Sequence, residues 1–394
     1  MAFADTSTYT LAYAEEAEFD TPLTGQTGVY ALLRNTGESL NTSLESARSD
    51  EIDSSRQYTG SVHVSGASGG SVNFQLSYGE YDFALEAVLQ SSDWTAAYSD
   101  SGTDIDVAGV ITGISDTTGL IVGQSVQIAG LTATAENGIH AISAVGTGTI
   151  TLVGAFTAET VGMTIVADGH ILNGSEGRSF TFEKNFEVDG TANYFSMSGM
   201  RAGSMSMSFA TGSIISGEIA FQGATGVATA TTSNDSAYIA AGTTELMNGV
   251  SNVTDIALDA VAVNGTLTAI TGATFQELSL SINNNLREQA AVGNLFPAGI
   301  GSGRIEIEST ATLYFANQQF FDQFIVNGSV QLRFNLQDNA GNTYAIMLPE
   351  LKIASHEVTA SGADSDVMAS VTFSGIKDAR SDTSASIIIT RIDA

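Results

Sequence analysis

A nineteen-residue stretch of this 394-residue chain occurs twice. Ser179–Met197 reads SFTFEKNFEVDGTANYFSM and Ser329–Met347 reads SVQLRFNLQDNAGNTYAIM, aligned without a gap at an offset of 150. Positions 179/329, 185/335, 194/344 and 197/347 are identical, and Phe180, Phe182 and Phe186 face Val330, Leu332 and Leu336. Apolar residues two apart fall on one face of a strand, and Asp189-Gly190 or Asn339-Ala340-Gly341 then supplies a turn, so each copy reads as a β-hairpin.

The likeness extends upstream. Val72, Phe74 and Leu76 alternate with polar partners in Gly70–Ser77, and Leu85, Val88 and Leu89 then stand at helical spacing. The same succession returns in Gly303–Thr310, with Ile305 and Ile307, followed by Phe320, Phe321, Phe324 and Ile325. The offset is now 233, which aligns Val72 with Ile305, Phe74 with Ile307 and Tyr81 with Tyr314, and leaves 83 extra residues in the first copy between helix and hairpin. That interval carries its own β-periodic runs (VAGVITGI, SVQIAGL, HAISAV, TITLV and MTIVA) and the turn pair Asn137-Gly138, which reads as an inserted small β-domain. The second copy closes the gap with Val326-Asn327-Gly328. After the hairpin, Gly217–Gly223 parallels Ala369–Gly375 at an offset of 152.

The expected organisation is therefore a duplicated fold: 1–98 and 178–223 for the first copy, 99–177 for the insert, 224–245 for a low-complexity linker, and 246–394 for the second copy with a C-terminal arm. Gly28–Arg34 suits a first strand. Residues 36–69 read mainly as a long polar loop whose role is contact rather than catalysis. Past Asp378-Ala379-Arg380, the run Ser386–Arg391 is a candidate edge strand, whose three isoleucines would need cover from a partner chain.

Composition supports a mainly β, β-rich α+β class: three prolines, 41 glycines and abundant Ser, Thr, Ala and Val suit short strands and glycine turns. Forty-three acidic against 13 basic residues give a net charge of −30, which disfavours ordinary nucleic-acid binding and suits solubility. The absence of cysteine excludes disulfides and thiolate metal sites and fits a cytosolic origin. The N-terminal residues lack a basic and an apolar signal region, and no apolar run is long enough to span a membrane, so neither secretion nor a membrane partner is expected.

Catalytic patterns are missing. His63, His140, His170 and His356 show no HxH or HxxxH spacing. Gly66-Ala67-Ser68-Gly69-Gly70 matches a nucleophile elbow in letters only, because the pattern predicts a loop before it and a strand after it. Asp50-Glu51-Asp53, Asp104-Asp106 and Asp364-Asp366 lack calcium-loop spacing, and there is no Walker loop or dinucleotide fingerprint. No enzyme, cofactor, metal or catalytic residue is expected.

Several stretches carry a resemblance. Arg34-Asn35-Thr36-Gly37, Ser49-Asp50-Glu51-Ile52 with Arg56-Gln57, and GSVNFQLSYGEYDFALEAVL running to Trp94 resemble the N-terminal part of tail tube proteins of long-tailed, non-contractile (siphovirus-type) bacteriophages. LPELKI (348–353), the turn Gly362–Val367 and the closing strand are similar to that family's end. The resemblance implies a β-sandwich or barrel-like fold with a short flanking helix, whose strands join neighbours around a ring. Rings would stack into the virion tail tube through which double-stranded DNA passes without specific binding. It also implies tail terminator, tape-measure and distal tail proteins as partners, synthesis in the host cytoplasm, and an insert on the tube exterior. Two copies per chain would make the ring a trimer with pseudo-six-fold symmetry.

Within that picture Glu306 and Glu308 are candidates for charge lining the lumen, where acidic side chains would repel DNA. Ser49, Asp50, Glu51, Ile52, Asp53 and Arg56 are candidates for contact with the next ring. The alternative is a bacterial surface or adhesion protein whose inserted domain binds glycan or calcium.

Overall fold

The computed structural model describes residues 3, 5, 8–23, 29–234, 237–262, 266–360, 362–378 and 384–394. Gly28, expected to open the first strand, and Ala379 and Arg380, noted before the last one, lie outside them. The described residues form a mostly β molecule with two α-helices, Asp82–Leu89 and Gln319–Ile325.

One pairing scheme occurs twice. In the first unit Thr10–Glu15 pairs with Phe180–Val188, which turns into the long strand Thr191–Ala210; the second half of that strand pairs with Ser216–Gly223, and this with Ser61–Gln75. In the second unit Val253–Val261, Ser329–Gln337, Thr343–Ala360, Val367–Gly375 and Glu306–Tyr314 repeat the order, all antiparallel. Period-2 alternation drives this: Phe74, Phe180, Phe182 and Phe221 are buried in one unit, and Leu313, Leu332, Phe334 and Phe373 in the other. Each such side chain contributes about 2–3 kcal/mol by leaving water.

Strand pairing corrects the sequence alignment in two places. Phe182 lies opposite Met197, whereas Leu332 lies opposite Leu348, so the second hairpin strand is displaced by 151 rather than 150. The turn is the cause. Val188 and Thr191 flank Asp189-Gly190, whose φ values of 53° and 74° define a two-residue turn matched to strand twist. Gln337 and Thr343 instead flank residues 338–342, where Asp338 Oδ1 accepts the amides of Ala340 and Asn342, each at 2.9 Å. Tyr344 thereby takes the place of Asn193 and is buried, while Tyr194 stays half-buried opposite Asn185.

The upstream strand departs further. Ile219 faces Val72 and Val371 faces Ala311, so Val72 is level with Ala311 and Phe74 with Leu313, a displacement of 239 rather than 233. Tyr81, just before the first helix, corresponds to Gln318 and not to Tyr314. Alternation is blind to slips of an even number of residues, which is why the wrong isoleucines matched.

Tyr98–Ala167 forms a separate seven-stranded sheet around Ile111, Val126, Ile128, Ile150 and Ile165. It docks through Ile121, Ala141 and Val153 onto Met347 and Ile388, and the Ser125 amide donates to Thr390 Oγ1 at 3.2 Å. The strand Ile388–Ile392 is interior, between His170–Leu172 and Thr343–Met347, with Ile387, Ile388 and Ile389 buried. This corrects the expectation of an edge strand needing a partner chain: the chain covers it itself. Residues 224–245 are no free linker either. Gly226–Thr229 pairs with Tyr194–Met197, Ile239 bridges Ala31, and the Tyr238 hydroxyl donates to Glu183 at 2.6 Å. Residues 36–69, expected as a loop, are largely a hairpin in which Asn41–Arg48 pairs with Ser61–Gly69.

Candidate assembly surfaces

The two units meet along one seam. Ser204–Ala210 of the first pairs with Glu277–Asn283 of the second, Ser204 opposite Asn283 and Ser206 opposite Ser281. Beneath it Met205, Met207, Leu280 and Ile282 are buried, and the rings of Phe209 and Phe334 meet edge-on at 5.3 Å. The helix Asp82–Leu89 packs on both seam strands. Asn284 Nδ2 fastens it, donating to Val88 O at 2.8 Å and to Ala202 O at 3.1 Å.

The same elements recur unpaired at the two ends of the sheet. Ile353 opposite Phe373 matches Ala202 opposite Phe221, so Ser355–Ala360 corresponds to Ser204–Phe209. Asn41 opposite Gly69 matches Ser281 opposite Glu308, so Asn41–Ser43 corresponds to Ser281–Asn283. Among the described residues each end segment has a strand partner on one side only. The helix Gln319–Ile325 corresponds to Asp82–Leu89, each followed by a residue in the left-handed region, Asn327 and Gln90. Where Ala84, Val88 and Leu89 are buried, their counterparts Phe321, Ile325 and Val326 are 47%, 64% and 69% exposed. His356 lies on the same edge, its ring 5.9 Å from Phe321, with burial holding it below the usual histidine range. Beside Asn41, in turn, an apolar groove of about 440 Å³ is lined by Leu40, Leu44, Phe186, Phe195 and Val227.

The face of this sheet opposite the core is polar. Glu306 and Glu308 are both exposed on it, opposite Asn283 and Ser281, and the structure adds Glu218, Glu277 and Glu357 to the same face. Between them lie Ser206, Ser279, Thr310 and Thr372. The strands that make this face carry no Lys or Arg from 204–210, 216–223, 277–283, 306–314, 353–360 or 367–375. Glu218 and Glu277 were within reach of sequence reasoning, since each precedes an alternating apolar pair (Ile219 and Phe221, Leu278 and Leu280).

Ser49, Asp50, Glu51, Ile52, Asp53 and Arg56 come together at the tip of the hairpin, closed by the Ser49 amide donating to Gly60 O at 2.9 Å. Thr59 Oγ1 donates to Glu51 at 2.9 Å, and hydrogen bonds from the Ser55 hydroxyl and amide hold the Asp53 carboxyl below its usual range. Arg56 adopts φ 59°. The hairpin exposes Leu44, Ile52, Tyr58, Val62 and Val64, and the Arg48 guanidinium lies 5.1 Å from the Tyr58 ring centre. At its base the Gly66 amide donates to Leu295 O at 2.9 Å, and a side chain at Gly66 would meet Leu44 and Phe296 at 2.7–2.8 Å. Leu295 and Phe296 belong to the ribbon Arg287–Gln289 and Gly299–Gly301, which occupies in the second unit the place of this hairpin.

Ser68, the letter-match for a nucleophile, lies within the strand Ser61–Gln75 and shares a 2.8 Å hydrogen bond with Thr42 Oγ1, so no strand-to-helix elbow exists there. Among the described residues no group of three or more His, Cys, Asp or Glu could hold a metal ion, and no helix is long and apolar enough to cross a membrane.

Compared with known families, residues 6–375 match the model of a family described as phage tail tube protein. No curated protein matches the chain.

Proposed function

The chain belongs to the phage tail tube protein family, a structural component of the virion tail, and from that premise we propose that it forms trimeric, pseudo-six-fold rings stacked into the tube of a siphovirus-type tail. The observation that carries this reading is the pair of complementary unpaired edges, 355–360 and 41–43, each a counterpart of a strand already paired in the seam within the chain. Exposed edges call for partners, and closing a ring removes them without leaving a free end. Each chain presents the pairing scheme twice, so three chains supply six units.

The polar sheet face, with five glutamates and no Lys or Arg in the segments that form it, would line the lumen. Duplex DNA carries one negative charge per about 1.7 Å, so such a wall repels it and prevents sticking during transit. The insert would lie on the tube exterior, because it docks on Thr343–Met347 and Ile388–Ile392, which are not among the segments that form the polar face. The hairpin tip would meet the next ring, and tail terminator, tape-measure and distal tail proteins would complete the tail. The role is structural, without catalysis, and the protein is made in the host cytoplasm.

Negative-stain microscopy and native mass spectrometry of the purified protein at high concentration test this reading. Hollow tubes of stacked rings, and a ring mass three times 40.7 kDa, are expected. Discrete monomers that bind calcium or sugar would overturn it.

A further inference from the structure

This inference rests on the ring reading and specifies its joint. We propose that Leu40–Ser43 of one copy pairs antiparallel with Ser355–Val358 of the next copy in a single register, Ser43 opposite Ser355 and Asn41 opposite Glu357, beneath the helix Gln319–Ile325.

The register comes from the seam within the chain. Ser204 pairs with Asn283 and Ser206 with Ser281. Displacing the first strand by 151 and the second by 240, the displacements that strand pairing gives, yields the pairs named above. The side chains support the transfer. Val358, 42% exposed, would face the groove of Leu40, Leu44, Phe186 and Phe195, the counterpart of the place where Met207 is buried. Phe209 and Phe334, which touch inside the chain, are replaced by Ala360 and Lys184. Lys184 is held there by Glu38 at 3.0 Å and by Leu40 O, so the long side chain fills the space a second aromatic would need, and the small Ala360 leaves it room. Phe321, Ile325 and Val326 would then be covered as Ala84, Val88 and Leu89 are.

Other registers are disfavoured on the same grounds. A slip of one residue would turn Val358 out among the glutamates and Glu357 into the apolar groove. A slip of two would place His356, not Val358, against Leu40.

The chain has no cysteine, so cross-linking reads the register directly. Ser355→Cys with Ser43→Cys places two thiols on directly opposed residues, whose Cα atoms stand about 4.5–5.5 Å apart in an antiparallel pair, inside the disulfide range. Oxidation of assembled rings should give a non-reducing ladder that ends at a covalent trimer. Ser204→Cys with Asn283→Cys should link within one chain, and the diagonal pair Ser355→Cys with Asn41→Cys should link poorly. Preferential linking of the diagonal pair in intact rings would overturn the register while leaving the ring reading in place. No link from either pair in visible rings would overturn the edge pairing itself, and failure of the unmodified protein to form rings would remove the reading beneath it. A second variant probes the helix. Ile325→Asp alters an exposed side chain, so its melting temperature should match the parent's while rings are lost, and normal rings would exclude the helix from the joint.

Discussion

Arg391 in the last strand pairs through its guanidinium with Asp82 in the first helix, and the same guanidinium lies 4.8 Å from the ring centre of Trp94. Asp82 also accepts a hydrogen bond from the Tyr344 hydroxyl, and the Tyr78 hydroxyl donates to Asp393 at 2.5 Å. Residues from the first unit, the second unit and the closing strand thus share one polar knot. Burial pushes the Asp82 carboxyl up, against the pull of Tyr344 and Arg391.

Arg391→Ala would leave Asp82 partly buried without its cation. The expected cost is roughly 3 kcal/mol, near the lower bound for removing one partner of a buried pair, because both side chains keep some contact with water. Urea unfolding checks it, and the double variant with Asp82→Asn should be clearly less destabilised than the sum of the single ones.

Much of this fold was legible in the sequence because alternation survives divergence. The repeated hairpin revealed that one β-unit occurs twice, and the helical spacing of Leu85, Val88 and Leu89 placed the first helix where it lies. Alternation could not fix register: Ile305 and Ile307 imitate Val72 and Phe74, yet Ala311 and Leu313 stand in their places. The seam was invisible because pairing between residues 204–210 and 277–283 leaves no local mark, and Ser386–Arg391 read as an edge because its cover comes from strands far away in the chain. Glu306 and Glu308 were legible as polar alternates, but grouping them with Glu218, Glu277 and Glu357 needed the sheet order.

Stacking should depend on the hairpin tip and not on the hairpin's base. Replacing residues 50–59 by Asn-Gly would remove Ile52 and Tyr58 while keeping the paired strands 41–48 and 61–69. Electron micrographs should then show single rings without tubes. Deleting 36–69 entirely is the wrong experiment, because it would also remove the edge at Asn41–Ser43.

Acid should loosen the closing strand through His170. Burial lowers this histidine to about 4 from an ordinary 6.5, and its strand pairs with Ile388–Thr390. A depressed histidine means that the unfolded chain takes up the proton first, so stability is full above pH 6.5 and falls as the pH drops toward 4. The expected loss between pH 7 and 4.5 is roughly 2–3 kcal/mol. Carboxylates also titrate there, so the comparison that checks the effect is urea unfolding of His170→Gln, whose pH slope should be shallower by that amount.

Reversing the charge of the polar face should turn a repelling wall into a binding one. Glu306→Lys with Glu308→Lys changes the face by four charges per chain without touching the core, since both side chains are exposed. Near the wall, within the ~8 Å over which salt leaves the field intact, those lysines would meet DNA phosphates directly. Tubes of the double variant should retain linear duplex DNA at low salt and release it steeply as salt rises, because each neutralised phosphate frees a counterion. Glu18→Lys, in the bend after the strand Thr10–Glu15, with Glu187→Lys, in the strand Phe180–Val188, makes the same change in net charge outside that face and should retain none. Equal retention by both variants would mean that net charge, and not the face, governs contact with DNA.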